Sequence, residues 1–408
     1  MRLVHLSDLH LGFRQFQRLT PGGINQREAD VAKSFANAVD KIISLRPDVV
    51  LVAGDVFHTV RPTNPAILHA FTQFSRLARE LPDAKIVVVA GNHDLPRSSE
   101  STCILRLFTQ LGIDVADGSM RSADDAPARR LQFRDLDLSI LAVPEVDNHL
   151  LDWAPDPGFQ HNVLVVHAEV EGEYPENSGP DEPARLKVPK EVVESTAWSY
   201  IALGHQHVYR RAGPNAYYSG SLDHCSSSIW PELGAQKAQK LPGKGFIERD
   251  LETGKQTFHP LKPVVREFVD LPPIEGRGLA AADLDAAIAA AVDRIPGGVD
   301  GKVVRLVTRD VPRHVVRELD HKSLRELQRR ALHFHLDTRR PEVIRTDRSG
   351  APGRRPSLAD TLRESLRSRV LTTDIDRERL IEMGLRYLEE AEHVGALRGA
   401  SAAGVEEA

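Results

Sequence analysis

At 408 residues the chain is too long for a single ordinary domain, so two or three folded units are expected. A composition of 41% hydrophobic and 27% charged residues with only two cysteines, Cys103 and Cys225, excludes a disordered chain, a disulfide scaffold and a CxxC metal site. The net charge of −5 shows no overall preference for polyanions, but it is unevenly spread, because residues 301–370 carry 18 Lys/Arg against 9 Asp/Glu. That block reads either as an electrostatic footprint for a polyanion or as an Arg-rich solvated face.

Leu3–Ser7 is a short apolar strand that begins too early to leave room for a secretory leader. No run of about 18 apolar residues is present to span a membrane. A cytoplasmic protein is expected. Arg27–Leu45 follows as an amphipathic helix, with Ala32, Phe35, Ala36, Val39, Ile42 and Ile43 on one face. Asp48–Ala53 is a continuous apolar run ending at Gly54, the pattern of a strand buried on both faces. Pro65–Glu80 forms the next helix, capped by Thr63 or Asn64, with Pro65 suited to its first turn. Lys85–Ala90 is another buried strand, closed by Gly91. This βαβαβ series implies parallel pairing with right-handed crossovers.

From residue 131 the strands come with shorter connections: Leu131–Phe133, Leu138–Val143, Asn162–His167, Tyr200–Leu203 and Tyr217–Ser219. Gly245–Asp250 and Gln256–His259 form a closing hairpin. The expected fold class is α/β, a two-sheet sandwich flanked by helices over residues 1–265. The proline-bearing segment 262–276 reads as a boundary. A small α+β unit over 266–345 follows, with helix Leu279–Ile295, strand Lys302–Thr308 and helix Ser323–Leu332. Residues 346–356 read as a linker. Two amphipathic helices, Ser357–Val370 and Asp376–Glu392, fill 357–395, and 396–408 reads as a disordered tail.

Five short motifs each end an expected strand: Asp8-Leu9-His10, Gly54-Asp55, Gly91-Asn92-His93-Asp94, His167, and Gly204-His205-Gln206-His207. Strand ends of α/β sheets converge on one edge, where ligands bind. Singly these motifs are weak, and a lone His after Val-Leu-Val-Val is ordinarily a hydrogen-bonded core histidine. Together they place carboxylates, an amide and several imidazoles at one edge. Burying that many polar groups without a cation is expensive. Nitrogen and oxygen donors without thiolate suit Mn²⁺, Fe²⁺ or Zn²⁺. The donors suffice for two ions, and a carboxylate such as Asp55 can bridge a pair about 3.5–4 Å apart, suited to phosphoester hydrolysis.

On these residues the chain resembles the calcineurin-like metallophosphoesterase superfamily (DxH, GD, GNH[DE], H, GHxH). Within it, the chain looks like the SbcD-type DNA repair nucleases, through His5-Leu6-Ser7-Asp8-Leu9-His10-Leu11-Gly12, Ala53-Gly54-Asp55-Val56-Phe57-His58 and Tyr218-Ser219-Gly220-Ser221. The resemblance implies that Asp8, His10 and His207 hold one metal ion, that Asn92, His167 and His205 hold the other, and that Asp55 bridges both. It implies that His93 contacts the leaving oxygen and that Asp94 orients His93. His58 stands where the phosphoprotein phosphatases of the superfamily read GDxVDRG, and it marks the nuclease form. Two Mn²⁺ ions, DNA as substrate and an SbcC-like ABC-type ATPase partner are implied. Residues 266–345 would then act as a cap and 357–395 as the partner-binding segment; a homodimer is compatible with the resemblance. Asp223-His224-Cys225 departs from the family's usual acidic-basic or Glu-Arg pair. The rival readings are a phosphodiesterase or phosphatase for small phosphoesters and a non-catalytic scaffold. The stripe Leu358, Leu362, Leu366 fits either intramolecular packing or docking of a partner.

Overall fold

The computed structural model describes residues 1–96, 102–118, 128–145, 151–172, 184–341, 357–368 and 376–388. The expected linker and tail lie outside these. The chain starts with β1 (Arg2–Leu6), α1 (Gln26–Leu45), β2 (Val49–Ala53), α2 (Asn64–Glu80), β3 (Lys85–Val89) and β4 (Asp114–Ala116). Next come β5 (Arg129–Phe133), β6 (Leu138–Val143), β7 (His161–His167), β8 (Glu169–Val170), β9 (Lys187–Val188) and α3 (Lys190–Glu194). β10 (Tyr200–Gly204), β11 (Arg210–Arg211), β12 (Ala216–Tyr218) and α4 (Ile229–Ala238) lead to the hairpin β13 (Gly245–Asp250) and β14 (Gln256–Pro260).

Two six-stranded sheets result, ordered β14-β13-β1-β2-β3-β4 and β11-β12-β10-β7-β6-β5. β1 to β4 run parallel, as do β6, β7, β10 and β12; the antiparallel pairings are those of β13 with β1 and β14 and of the edge strands β11 and β5. Successive side chains point to opposite faces of a strand, so each apolar run serves two cores. Leu3, Leu51, Val87, Ile140, Val163 and Ala202 fill the space between the sheets. Their neighbours Val4, Val50 and Val88 pack outward on Phe35, Val39 and Phe74 of α1 and α2. On the other side Leu164, Val166, Ile201 and Leu203 pack on Val193 and Trp198. The fold is the expected α/β sandwich. With both faces of these strands apolar, polar chemistry is confined to the strand ends.

The helices form for local reasons. α1 presents Phe35, Ala38, Val39 and Ile42 at helical spacing, and Asn25 caps it by accepting from Arg27 N–H at 3.0 Å. Thr63 caps α2, and Pro65 occupies its first turn.

After the hairpin, β15 (Phe268–Asp270), β16 (Ile274–Glu275), α5 (Ala281–Asp293), β17 (Val303–Arg309), α6 (Arg313–Glu318), α7 (His321–Arg330) and β18 (His333–Thr338) build a small sheet, parallel throughout and centred on β17. Segment 262–276 therefore supplies two of its strands, with Pro272-Pro273 between them. Phe268, Val303 and Leu332 pack on Ile229 and Leu233 of α4, and Arg266 reaches Asp30 of α1 through Nε and Nη2. Residues Met1–Pro341 form one compact unit.

Glu342–Ala408 form a second unit, described for α8 (Leu358–Ser368) and a helix over 377–388. Ser357 and Asp360 cap α8 reciprocally. Leu362 and Leu366 close on Gly384, where an added Cβ would stand 3.4 and 3.3 Å from them. Of the apolar stripe, these two members pack within the unit, while Leu358 is 64% exposed.

Candidate metal centre

The ladder between β1 and β2 continues past the strand ends: Asp8 N–H donates to Gly54 O at 3.0 Å and His10 N–H to Asp55 O at 2.9 Å. These bonds hold Asp8 and Asp55 at φ values of +53° and +51°, with His10 at +44° and His205 at +98°. Four non-glycine residues in the left-handed region at one edge cost about 1–3 kcal/mol each and persist because the surrounding bonds over-determine them. Their side chains are thereby aimed at the cleft. The glycines serve approach as well as turning. A Cβ on Gly54 would run into the His167 ring, and one on Gly91 into the Asp55 carboxylate.

All seven donors inferred from the sequence meet at this rim. His10 Nε2 lies 3.0 Å from His207 Nε2 and 3.6 Å from Asp55 Oδ2, while Asp8 Oδ1 is 4.0 Å from His207 Nε2. On the other side of Asp55, His167 Nε2 lies 3.4 Å from Asp55 Oδ2 and 3.1 Å from Asn92 Oδ1. His205 N–H donates to Asp8 Oδ1 at 3.1 Å, linking the two halves.

Burial pushes the His10 and His207 imidazoles below their usual range, which keeps them neutral and able to donate lone pairs. Burial also acts on Asp55 and His167, but their mutual attraction reverses it: the carboxyl is held well below its usual range and the imidazole well above. A negative Asp55 amid imidazoles is what a shared cationic site requires. The donors are nitrogen and oxygen, and Asp8, His10, Asp55, His167 and His205 are buried. This set fits divalent metal ions.

Outer contacts fix the ring orientations. His167 Nδ1 lies 2.8 Å from the Ala53 carbonyl, His10 Nδ1 lies 3.2 Å from His58 Nδ1, and His207 Nδ1 lies 2.9 Å from Ser226 Oγ. His93 Nδ1 donates to the His58 carbonyl at 2.8 Å, and its ring packs edge-on against His10 with centroids 4.9 Å apart. One expectation is corrected here. Asp94 was expected to orient His93; instead its carboxylate turns back to accept the N–H groups of Val56, Phe57 and Gly91 at 2.9–3.1 Å. Those amides belong to the turns that carry Asp55 and Asn92, and His93 takes its orientation from His58. Burial and the nearby Asp55 push Asp94 up to about 7.

Sequence reading missed Glu145, Glu169 and the Cys225–Ser226 turn. Glu145 lies 3.6 Å from His167, and Glu169 lies 3.3 Å from His205 Nε2. Glu145 stands two residues past the end of β6, as Asp8 does past β1, so the strand-end argument applied to the other motifs would have found it. The Asp223-His224-Cys225 departure is structural. Asp223 accepts from Arg27 and Ser34, both at 2.6 Å, and Cys225 is buried with its sulfur 3.9 Å from His207 Nδ1.

Above the rim opens a cavity of about 430 Å³, floored by His10, Asp55, Asn92, His93 and His207 and walled by Ser226 and Glu232. A larger cavity of about 920 Å³, between α4 and the small sheet, holds none of the seven donors. Facing mixed sheets with this rim of carboxylates, amide and imidazoles define a metallophosphoesterase. Residues 1–220 match the family model for calcineurin-like phosphoesterases, and the chain belongs to that family. The DNA double-strand break repair protein Mre11 of Methanocaldococcus jannaschii is 39% identical over 280 residues, covering 66% of this chain and 69% of that one. The Methanopyrus kandleri protein of the same name is 26% identical over 273 residues, covering 62% and 55%. That of Thermoplasma acidophilum is 26% identical over 264 residues, covering 62% of each. Among the described residues no helix is long and apolar enough to cross a membrane.

Proposed function

We propose that this chain is a cytoplasmic, Mn²⁺-dependent DNA nuclease of double-strand-break repair that works with an SbcC-like ATPase. The observation that carries the chemistry is the meeting of seven nitrogen and oxygen donors at one strand edge. The DNA substrate is supported by relatives named as DNA double-strand break repair proteins. In this reading Asp8, His10 and His207 hold one ion, Asn92, His167 and His205 the other, and Asp55 both. Two bound ions would supply Lewis acidity and offset charge on the phosphoryl oxygens. The mixed carboxylate, amide and imidazole set, without thiolate, supports Mn²⁺.

The chain's own groups do the rest. With Nδ1–H committed to the His58 carbonyl, a protonated His93 presents Nε2–H to the departing oxygen of the scissile bond. His58 and Asp94 are positioning residues: His58 sets the rings of His10 and His93, and Asp94 fixes the turns bearing Asp55 and Asn92. Residues 266–345 are assigned as a cap and 357–395 as the partner-binding segment, where Leu358, Met383 and Tyr387 present exposed apolar surface. The alternative, hydrolysis of small phosphoesters, draws support from the modest volume of the cavity.

The test is cleavage of end-labelled linear and hairpin duplex by the Mn²⁺-loaded protein, with and without the ATPase partner, beside a small phosphodiester. DNA cleavage stimulated by the partner is expected. Turnover of the small diester with DNA left intact under every condition would establish the alternative.

A further inference from the structure

In the seven-donor centre the two ions are served unequally. One has a carboxylate of its own, Asp8, in addition to the shared Asp55. The other has only Asp55 beside the neutral Asn92, His167 and His205. We infer that Glu145 is a further ligand of this second ion, an assignment that rests on the two-ion reading above.

Glu145 is 1% exposed and stands on the turn directly after β6, where its N–H donates to Ala90 O at 3.0 Å beside the Asn92 turn. Its Oε1 accepts the Arg185 N–H at 2.7 Å, while Oε2 has no hydrogen-bond partner. A ligand atom of Glu145 lies within 4.8 Å of those of both His167 and His205. A buried carboxylate oxygen left without a partner is unfavourable unless a cation meets it.

The geometry at His167 separates a ligand from a residue that merely orients one. The Ala53 carbonyl can only accept, so His167 Nδ1 keeps its proton and Nε2 is the atom left to meet a metal ion, which would take the place of any proton held there. Around that atom stand Asn92 Oδ1 at 3.1 Å, Asp55 Oδ2 at 3.4 Å and Glu145 Oε2 at 3.6 Å. These acceptors directed at one region call for a cation among them. A carboxylate that orients a metal-bound imidazole sits instead on the nitrogen away from the ion. Here Ala53 already occupies that place. With Glu145 each ion has one carboxylate of its own and shares Asp55, and the added oxygen shifts the second position toward harder ions such as Mn²⁺.

The experiment compares full-length wild type with Glu145→Gln, which keeps the side chain's size and an oxygen for the Arg185 N–H. Mn²⁺ binding is followed calorimetrically and by electron paramagnetic resonance, and melting of the metal-free proteins is recorded alongside. Wild type is expected to bind two ions. The variant is expected to keep one affinity and lose about 10- to 100-fold in the other, a span typical of changes around a metal site. Its metal-free form should melt close to wild type, since the amide keeps the side chain's size and its contact with the Arg185 N–H. Two ions bound with unchanged affinities by the variant would overturn the assignment. So would weakened binding in a variant whose metal-free form melts well below wild type, because that loss traces to folding. Fewer than two ions on wild type itself would instead sink the two-ion reading.

Discussion

The sandwich and the small sheet both carry many arginine–carboxylate pairs, yet the pairs do different things in the two regions. In the sandwich, Arg27 is fully buried between Asp223 at 2.6 Å and Asp30 at 2.8 Å, tying α1 to the turn that precedes Cys225. Burial works against its charge, but the two carboxylates more than reverse that effect and the guanidinium is held above its usual range. In the small sheet, Arg309–Glu275, Arg329–Glu326 and Arg330–Asp300 lie in the open at 2.6–3.4 Å. Water screens these pairs and leaves them worth little, whereas a buried pair that loses one member strands a charge. The comparison also narrows the expected basic footprint. Lys302, Arg305, Arg309, Arg329, Arg330 and Arg339 are each matched by an acid, so a residue count over 301–370 overstates the field.

The contrast between a water-excluded rim and a screened surface sets the order of expected effects. The largest falls on the rim: His93→Gln should lower kcat for phosphodiester hydrolysis by about 10²- to 10⁴-fold, as loss of a general acid does. Mn²⁺ binding should stay intact, and a parallel loss of metal would make His93 a ligand instead. Next, Arg27→Met should destabilise the fold by about 3–5 kcal/mol, because Asp223 is left charged and buried. Urea denaturation measures this, and a cost below about 1 kcal/mol would place Arg27 with the surface pairs.

A third effect depends on pH. His5, fully buried on β1 with Nδ1 3.0 Å from Tyr200 Oη, has its pKa lowered from 6.5 to about 3, chiefly by burial. Between those values the unfolded chain takes up a proton that the folded chain refuses, so stability is full above pH 6.5 and falls as pH falls toward 3. At pH 5 the expected loss from this residue is about 2 kcal/mol. His5→Gln should remove that increment from the difference between urea midpoints at pH 7.5 and 5; an unchanged difference would count against it. The smallest effect belongs to the small sheet, where Arg309→Ala should stay within about 0.5 kcal/mol of wild type. A larger cost would mean that this pair is not screened.

Much of the architecture was legible in the sequence, and for a physical reason. Continuous apolar runs such as Asp48–Ala53 and Lys85–Ala90 announce strands buried on both faces, and the polar motifs after them mark the edge where those strands stop. What the sequence concealed depended on contacts between distant segments. Ile229–Ala238 contains Pro231 and Gly234 and shows no helical stripe, yet α4 walls the cavity because Pro231 fits its first turn. The ring contacts of His333 and His335 are of the same kind: the two stack on one face of β18, and His333 stacks on Phe16, far away in sequence, with centroids 4.2 Å apart. Asp94 looked like a partner for the histidine beside it. Its partners are backbone amides contributed by two turns, which carry no sequence signal.

The most direct test of the central claim is a paired count of bound Mn²⁺ and rate of DNA cleavage for wild type and Asp55→Asn. The account predicts two ions per chain and cleavage for wild type. Without the shared carboxylate it predicts fewer than two ions and a rate lower by about 10³-fold, the scale of losing a main electrostatic group of a hydrolytic site. An Asp55→Asn protein that holds two ions and cuts DNA at the wild-type rate would contradict it.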